Sequence, residues 1–521
     1  VNRVNVKIRN LPLSLDGFTI VLLTDVHIGP TVGEKRIEEI VAKTNELHAD
    51  MVAISGDLVD GFLSNLVQST LPLANLKSKY GVYYATGEKK LHFVLHPISY
   101  LQVNDVYDYR KGNRERQLST LKFEFFIFPF SVFVYFRLIE FAKYVLTYNT
   151  NGTMTNHATK CLQLIAIGTM LWLFLGHATL FLYFIPDLIP RFLVNLSFLS
   201  IGLWYHIVIP LVVFAVLTAM ISGLKALTIC QPFVNKCFSK FSLVEAFCLN
   251  KNMQTAFTLP FALFLCFFSY LFCDTLIIKN ITLNVKDLPD GAKGIRFALI
   301  SDIHAGAAVF EEQVEKIVDR VNSQAVDAVL IVGDAIDAPR NSIENRVRSL
   351  RFLKSKTFFV SGNHEYYYGN ASEWFDLFEH YGFEVLNNRH VLFYGICIAG
   401  VSDYSSGRSG LPNHMFEPIE ALKGCPQNTT TIVLSHNPAS TKEIAFNDAH
   451  LRVDLILSGH THAGQFYTVA PIVYWMLPYY YGLYQVSPET QLFVTAGTLY
   501  QGAPMKMVWM SEIWIIELHA S

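Results

Sequence analysis

Five short apolar runs in the C-terminal half of this sequence each end in side chains that can bind a metal. No other feature constrains the fold as tightly. Val329-Leu-Ile-Val332 runs into Gly333-Asp334, and upstream Arg296 to Ser301 runs into Asp302-Ile303-His304. Downstream, Thr357 to Ser361 runs into Gly362-Asn363-His364-Glu365, and Thr430 to Leu434 into Ser435-His436-Asn437. The fifth, Asp454 to Leu457, runs into Ser458-Gly459-His460-Thr461-His462. Runs of this length, rich in β-branched residues, read as buried strands, and the Gly-containing endings as sharp turns. Helical spacing at Glu311 to Val321, Ile343 to Leu353, Ser372 to Tyr381 and Ala439 to Phe446 alternates with them. Such alternation predicts an α/β fold with the ligands gathered at the carboxyl ends of the strands. Asp302 and His304 are two residues apart, as are His460 and His462, so extended backbone would point each pair one way.

In order, the endings read D-x-H, G-D, G-N-H-E, S-H-N and G-H-T-H. The set resembles the calcineurin-like metallophosphoesterases over roughly residues 280 to 518. The spellings His436-Asn437-Pro438 and Gly459-His460-Thr461-His462-Ala463-Gly464-Gln465 are similar to a membrane-linked branch of that superfamily. The resemblance implies a four-layer α/β/β/α domain that hydrolyses phosphoester bonds, phosphodiester or phosphomonoester, with a hydroxide bridging two divalent ions. By the same resemblance Asp334 bridges the ions, Asp302, His304 and His462 complete one site, and Asn363, His436 and His460 complete the other. Mixed nitrogen and oxygen donors suit Mn, Fe or Zn, and the lack of thiolates disfavours a structural zinc. His364 is the candidate catalytic residue, binding the phosphoryl group and protonating the leaving oxygen. Glu365 or Asp337 would orient it or a ligand histidine. Isolated histidines such as His390, His414 and His450 are expected to be surface or packed residues.

The first 88 residues repeat the opening of this unit. Val4 to Pro12 matches Ile281 to Pro289 in character, Leu22-Leu-Thr-Asp25-Val-His27 matches Leu299-Ile-Ser-Asp302-Ile-His304, and Ala53-Ile-Ser-Gly56-Asp57 matches Leu330-Ile-Val-Gly333-Asp334. The first copy then fails. Val82 to Glu88 stands where the second copy has Phe358 to Glu365, without the Asn-His pair, and no S-H-N or G-H-T-H equivalent follows. It supplies about half of the roughly eight protein donors that two ions need, and reads as catalytically dead. A decayed tandem duplication and a fusion of two adjacent genes by an imperfect gene model both account for it, and the abrupt break inside a motif favours the second. A chain that opens on Val1 without a signal-peptide pattern reads as a fragment or processed form.

Residues 89–121 read as a connector with a basic cluster at Arg110, Lys111, Arg114 and Arg116. Composition changes from there. Cys161 to Ile185 and Phe192 to Ser222 carry no charge, and Phe257 to Ile278 carries only Asp274. Each meets the ~20 apolar residues that a bilayer span needs. Phe123 to Leu146, interrupted by Arg137, Glu140 and Lys143, is a fourth candidate. Residues 122–279 are therefore expected to be a block of about four transmembrane helices, making the chain a multi-pass integral membrane protein with its catalytic domain at 280–521. An even number of spans puts both copies on one side. The basic residues 110–122 and the loop lysines Lys225, Lys236, Lys240 and Lys251 give opposite orientations, so the side stays open. His177, His206 and Asp274 within the block read as unpartnered interfacial or packing groups.

A net charge of −2 offers no basic field, which excludes nucleic acid as the main partner. The expected partners are a phosphoester substrate, drawn from lipid or cell envelope by location alone, and the bilayer. Eight cysteines without a CxxC pair suggest neither a thiolate zinc site nor a disulfide framework. The alternative function is a membrane scaffold or interaction protein with a vestigial phosphoesterase fold. It is disfavoured because the second copy keeps every ligand the first has lost. A transporter is disfavoured because the spans lack paired charges and Gly/Pro-broken repeats.

Overall fold

A computed structural model describes most of residues 16–93, together with 109–150, 152–182, 189–227, 242–447 and 451–520. Asp25, Gly56, Asp57, Gly87, Glu88, Cys230, Cys237 and His450 lie outside the described residues, as do the side chains of Arg110, Lys111, Arg114 and Arg116. The chain divides into two compact units, 1–106 and 107–521.

In the first unit, β1 (Ile20–Thr24), α1 (Glu34–Asn45), β2 (Met51–Ser55), β3 (Val82–Thr86) and β4 (Lys90–Phe93) follow in order. β1, β2 and β3 pair in parallel, and Ile37 and Val41 of α1 pack with Val52 and Ile54 of β2. β1 leaves Ile20 and Leu22 more than half exposed, so one face of this sheet is uncovered. β4 turns back antiparallel onto β3 where a ligand-bearing loop would have to start.

The second unit opens with four helices long and apolar enough to cross a membrane: α2 (Tyr109–Thr147), α3 (Asn156–Leu182), α4 (Arg191–Ala226) and α5 (Lys251–Phe272). His177 and His206 are not unpartnered, contrary to expectation. His177 on α3 contacts Glu124 and lies 2.9 Å from Ser131 Oγ of α2, which also accepts from Trp204 Nε1 of α4 at 2.7 Å. His206 Nδ1 lies 2.9 Å from the Gly202 carbonyl, and Asp274 accepts from Gln313. The His177 partners come from a neighbouring helix and the His206 partner from one turn earlier on its own helix, while His206 Nε2 is buried with no hydrogen-bond partner among the described residues.

Two six-stranded sheets follow. β5 (Ile277–Val285), β6 (Arg296–Ile300), α6 (Glu311–Asn322), β7 (Ala328–Val332), α7 (Arg340–Val347), β8 (Lys356–Val360), α8 (His364–Tyr367), α9 (Ala371–His380) and β9 (Glu384–Val385) build the first, completed by the C-terminal strand in the order β5-β16-β6-β7-β8-β9. β10 (Arg389–Phe393), β11 (Ile396–Gly400), β12 (Thr431–Leu434), β13 (Leu455–Ser458), α10 (Ala470–Met476), β14 (Gly482–Gln485) and β15 (Gln491–Val494) build the second, in the order β10-β11-β12-β13-β15-β14, before β16 (Glu512–Ala520) returns to the first. The predicted helix at Ile343 to Leu353 starts earlier, at Arg340, and tightens into a 3₁₀ turn after Val347.

Alternation along the strands sets the layers. Phe297, Leu299, Leu330, Val332, Phe358 and Val360 face Ile432, Leu434, Leu455, Leu457 and Phe493 between the sheets. Ala298, Ile300, Val329 and Ile331 point the other way, onto Val314 and Ile317 of α6. Burial on both faces explains why these strands read as unbroken apolar runs. On the outer face of the second sheet, Cys397 of β11 is disulfide-bonded to Cys425. The cysteine spacing suggested no disulfide framework and did not reveal this single bond: the two lie 28 residues apart, a separation that carries no motif, and only the sheet brings them together.

Candidate metal centre

Five parallel strands end two to four residues before a candidate ligand: β6 before Asp302 and His304, β7 before Asp334, β8 before Asn363, β12 before His436, and β13 before His460 and His462. The backbone there is not extended. Asp302, His304, Asp334, His460 and His462 all have left-handed φ values between 49° and 72°. The paired ligands therefore converge through tight turns rather than by strand alternation, which corrects the expectation. Such conformations in residues with a Cβ cost about 1–3 kcal/mol each and mark functional sites. Gly362 and Gly459 make the convergence possible. A methyl at Gly362 would lie 2.1 Å from Asp334 Oδ1, and one at Gly459 would lie 2.4 Å from Asp302 Oδ2.

All eight predicted site residues come together, and all are buried except His460, which is partly exposed. Asp302, His304 and His462 form one group whose donor atoms lie within 4.8 Å of one another, and Asp334, His436 and His460 form a second. Asp334 Oδ2 is 3.0 Å from His436 Nε2 and 3.8 Å from His304 Nε2, so this one carboxylate faces both groups. The His304 and His462 Nε2 atoms approach to 2.9 Å, and His436 Nε2 lies 3.3 Å from His460 Nδ1. His436 Nδ1 is 2.8 Å from the Val332 carbonyl, to which its N–H donates, so Nε2 is the ring nitrogen turned toward Asp334 and His460.

The profile of the calcineurin-like phosphoesterase family matches residues 295–464. A Danio rerio protein named "Transmembrane protein with metallophosphoesterase domain" is 31% identical over 371 residues, 69% of this chain and 80% of that protein. The chain belongs to the calcineurin-like phosphoesterases. A Caenorhabditis elegans "Putative metallophosphoesterase F40B5.2" is 32% identical over 378 residues, covering 69% of this chain and 74% of its own length. A Bos taurus protein with the same name as the Danio rerio one is 34% identical over 256 residues, 47% of this chain and 57% of that protein.

Members of this family use divalent metal ions, and the phosphoesterase site here fits them. Asn363 Oδ1 is buried with no hydrogen-bond partner among the described residues. A carbonyl oxygen in that state costs about 1–3 kcal/mol unless a cation or water meets it. Facing imidazole nitrogens need the same remedy. The carboxylates are poised as well. Burial alone would raise Asp302 and Asp334, but surrounding imidazoles, His462 first for Asp302 and His436 first for Asp334, hold both well below the usual carboxylate range. Burial likewise opposes charging His436, yet Asp334 beside it pushes the imidazolium up to about 10. His460 and His462 go the other way: burial first, then the neighbouring imidazoles, holds both below the usual histidine range.

The roles left open between Glu365 and Asp337 separate. Asp337 Oδ1 accepts from His304 Nδ1 at 2.9 Å and also contacts His364 Nδ1, so it orients both imidazoles. Glu365 touches neither in this way. It accepts backbone N–H groups from Asp334, Ala335 and Gly362, tying the β7 and β8 loops together. Two residues were missed. Gln501 Nε2 lies 2.8 Å from His364 Nε2, and buried Lys506 donates to the carbonyls of Ala496, Gly497 and Leu499 at 2.5–2.8 Å. Both lie beyond the last sequence motif. A lysine inside an apolar stretch was the one signal available. His414, expected to be packed, is buried against Phe375, and burial holds its pKa down to about 4.

Proposed function

We propose that the chain is a multi-pass, membrane-anchored two-metal phosphohydrolase. The observation that carries this reading is the pair of buried Asp/His groups that meet at Asp334. Asp302, His304 and His462 would hold one divalent ion, Asn363, His436 and His460 the other, and Asp334 both. Mn, Fe and Zn all suit this donor set. Two divalent ions held by these residues would acidify a water and neutralise phosphoryl oxygens. The remaining work falls to protein groups. Asp337 accepts the His364 Nδ1 hydrogen bond, so His364 delivers a proton to the leaving oxygen from Nε2 only in its doubly protonated form, with Asp337 as the counter-charge, and is left as the Nδ1–H imidazole. Gln501 occupies Nε2 here, so substrate has to displace its amide or share it.

The test uses the full chain in lipid nanodiscs, stripped of metal, reloaded, and assayed on a chromogenic phosphodiester and its monoester. His364→Ala is expected to lower kcat about 10²–10³-fold, and Asp337→Asn about 10–100-fold. Both are expected to keep two metals per chain by elemental analysis. A folded, metal-loaded wild type that cleaves neither ester, or His364→Ala at wild-type kcat, would sink the respective assignment.

A further inference from the structure

The chain carries no charged residue between His462 and Glu489. Within that stretch α10 leaves the domain: Ile472, Tyr474, Trp475, Met476 and Leu477 are all exposed, Trp475 at 85%. The segment is tied to the metal centre at both ends, because Thr461 Oγ1 donates to the Tyr480 carbonyl at 2.7 Å and Tyr480 Oη to the Ala463 carbonyl at 2.6 Å. Two helices measure its height. Lys225 and Lys251 bracket one end of α4 and α5. About 20 residues of helix, ~30 Å, span the hydrocarbon core. Counted from these lysines, that distance ends near Tyr205 on α4 and Tyr270 on α5. At those levels the domain touches both helices. Thr468 Oγ1 donates to the Tyr205 carbonyl at 3.1 Å, the Phe466 ring stacks on Tyr205 at 5.1 Å, and Lys506 N donates to the Ser269 carbonyl at 3.3 Å. α10 starts two residues after Thr468.

We propose that α10 is a bilayer-inserted rim of the metal centre, and that the substrate is an amphiphilic phosphoester whose tail stays in the lipid while its headgroup reaches Asp334. Tyr and Trp at the level of the headgroups and apolar Ile, Met and Leu beside them are the composition of an interfacial anchor. The substrate half of the proposal rests on the phosphohydrolase reading; the insertion half does not. Two measurements separate them. In vesicles of phosphatidylcholine with brominated acyl chains, full-length wild type is expected to lose a larger fraction of its fluorescence than Trp475→Phe, whose remaining quenching comes from Trp172 and Trp204 on the apolar helices. Equal quenching in the two overturns insertion, including the case in which α10 is covered by a second copy. In plain vesicles, Tyr474→Ser with Trp475→Ser is expected to lower the ratio of vesicle-borne to soluble phosphoester turnover about tenfold. An unchanged ratio overturns the substrate class, and absence of all turnover in wild type falsifies the phosphohydrolase reading instead.

A second inference rests on a different observation. Cys397 and Cys425 are joined, and disulfides persist in oxidising compartments. Three residues past Cys425, the exposed turn residue Asn428 opens the sequon Asn428-Thr429-Thr430. We infer that the phosphoesterase domain faces the lumen or cell exterior, which leaves Lys225 and Lys251 on the cytosolic side. In eukaryotic cells expressing the full chain, Cys397 and Cys425 are expected to resist alkylation until reduced, and a glycosidase-sensitive shift is expected to vanish in Asn428→Gln. Freely alkylated thiols, or no such shift, overturn the assignment.

Discussion

Replacing Asp334 with Asn is expected to strip both cations from the full chain and to cut phosphoester turnover by about 10³-fold or more, while the fold survives. The side chain is buried, with Oδ2 facing His436 at 3.0 Å and His304 at 3.8 Å and Oδ1 accepting the His364 backbone N–H at 2.9 Å. It is the one carboxylate that faces both candidate metal groups, so neutralising it weakens two sites at once. Asn keeps the shape and can accept the same backbone hydrogen bond. It also tolerates the left-handed conformation that Asp334 adopts at φ 51°. Ala would confound lost charge with strain. Elemental analysis of the purified variant beside its thermal unfolding curve checks the prediction, and two retained metals would contradict it.

Lys506→Met is expected to destabilise the second unit by about 3 kcal/mol or more, through carbonyls left without a donor. The lysine is fully buried, and burial pushes its pKa down to about 7 against the opposing pull of Glu512. Its three hydrogen bonds go to the Ala496, Gly497 and Leu499 carbonyls. The same loop braces the β6 turn, with Thr498 N donating to the Ser301 carbonyl at 2.7 Å and Leu499 N to the Asp302 carbonyl at 3.2 Å. Met fills nearly the same volume, so loss of packing contributes little. Denaturant titration of wild type and variant in one detergent decides the matter. A midpoint shift worth less than about 0.5 kcal/mol, the usual range of surface substitutions, would mean that water replaces the ammonium.

What was legible in the sequence was whatever strand ends and local composition encode. Asp302, Asp334, Asn363, His436 and His460 were readable because a parallel strand with both faces buried has to stop abruptly, and its stopping point is where a ligand shows. Gln501 and Lys506 were not readable, because they reach the site from a loop with no periodic signal of its own. The disulfide was hidden for a related reason: its cysteines meet only once β11 and the segment before β12 lie side by side. The left-handed ligand turns were also missed. A two-residue spacing fits extended and kinked backbone equally well, and only the close approaches at Gly362 and Gly459 tell them apart.

His27 of the first unit has φ 51°, against 53° at His304 of the second. The left-handed joint between strand and loop is thus the same in a unit that reads as dead and in one that brings all eight candidate site residues together. A left-handed turn at that joint therefore comes with the βαβ frame, whichever loops follow it. A designer seeking to re-arm the first unit would accordingly gain little from editing that joint. Among the described residues of the first unit no second sheet covers Ile20 and Leu22, so such a sheet and the loops it would deliver are the parts to supply.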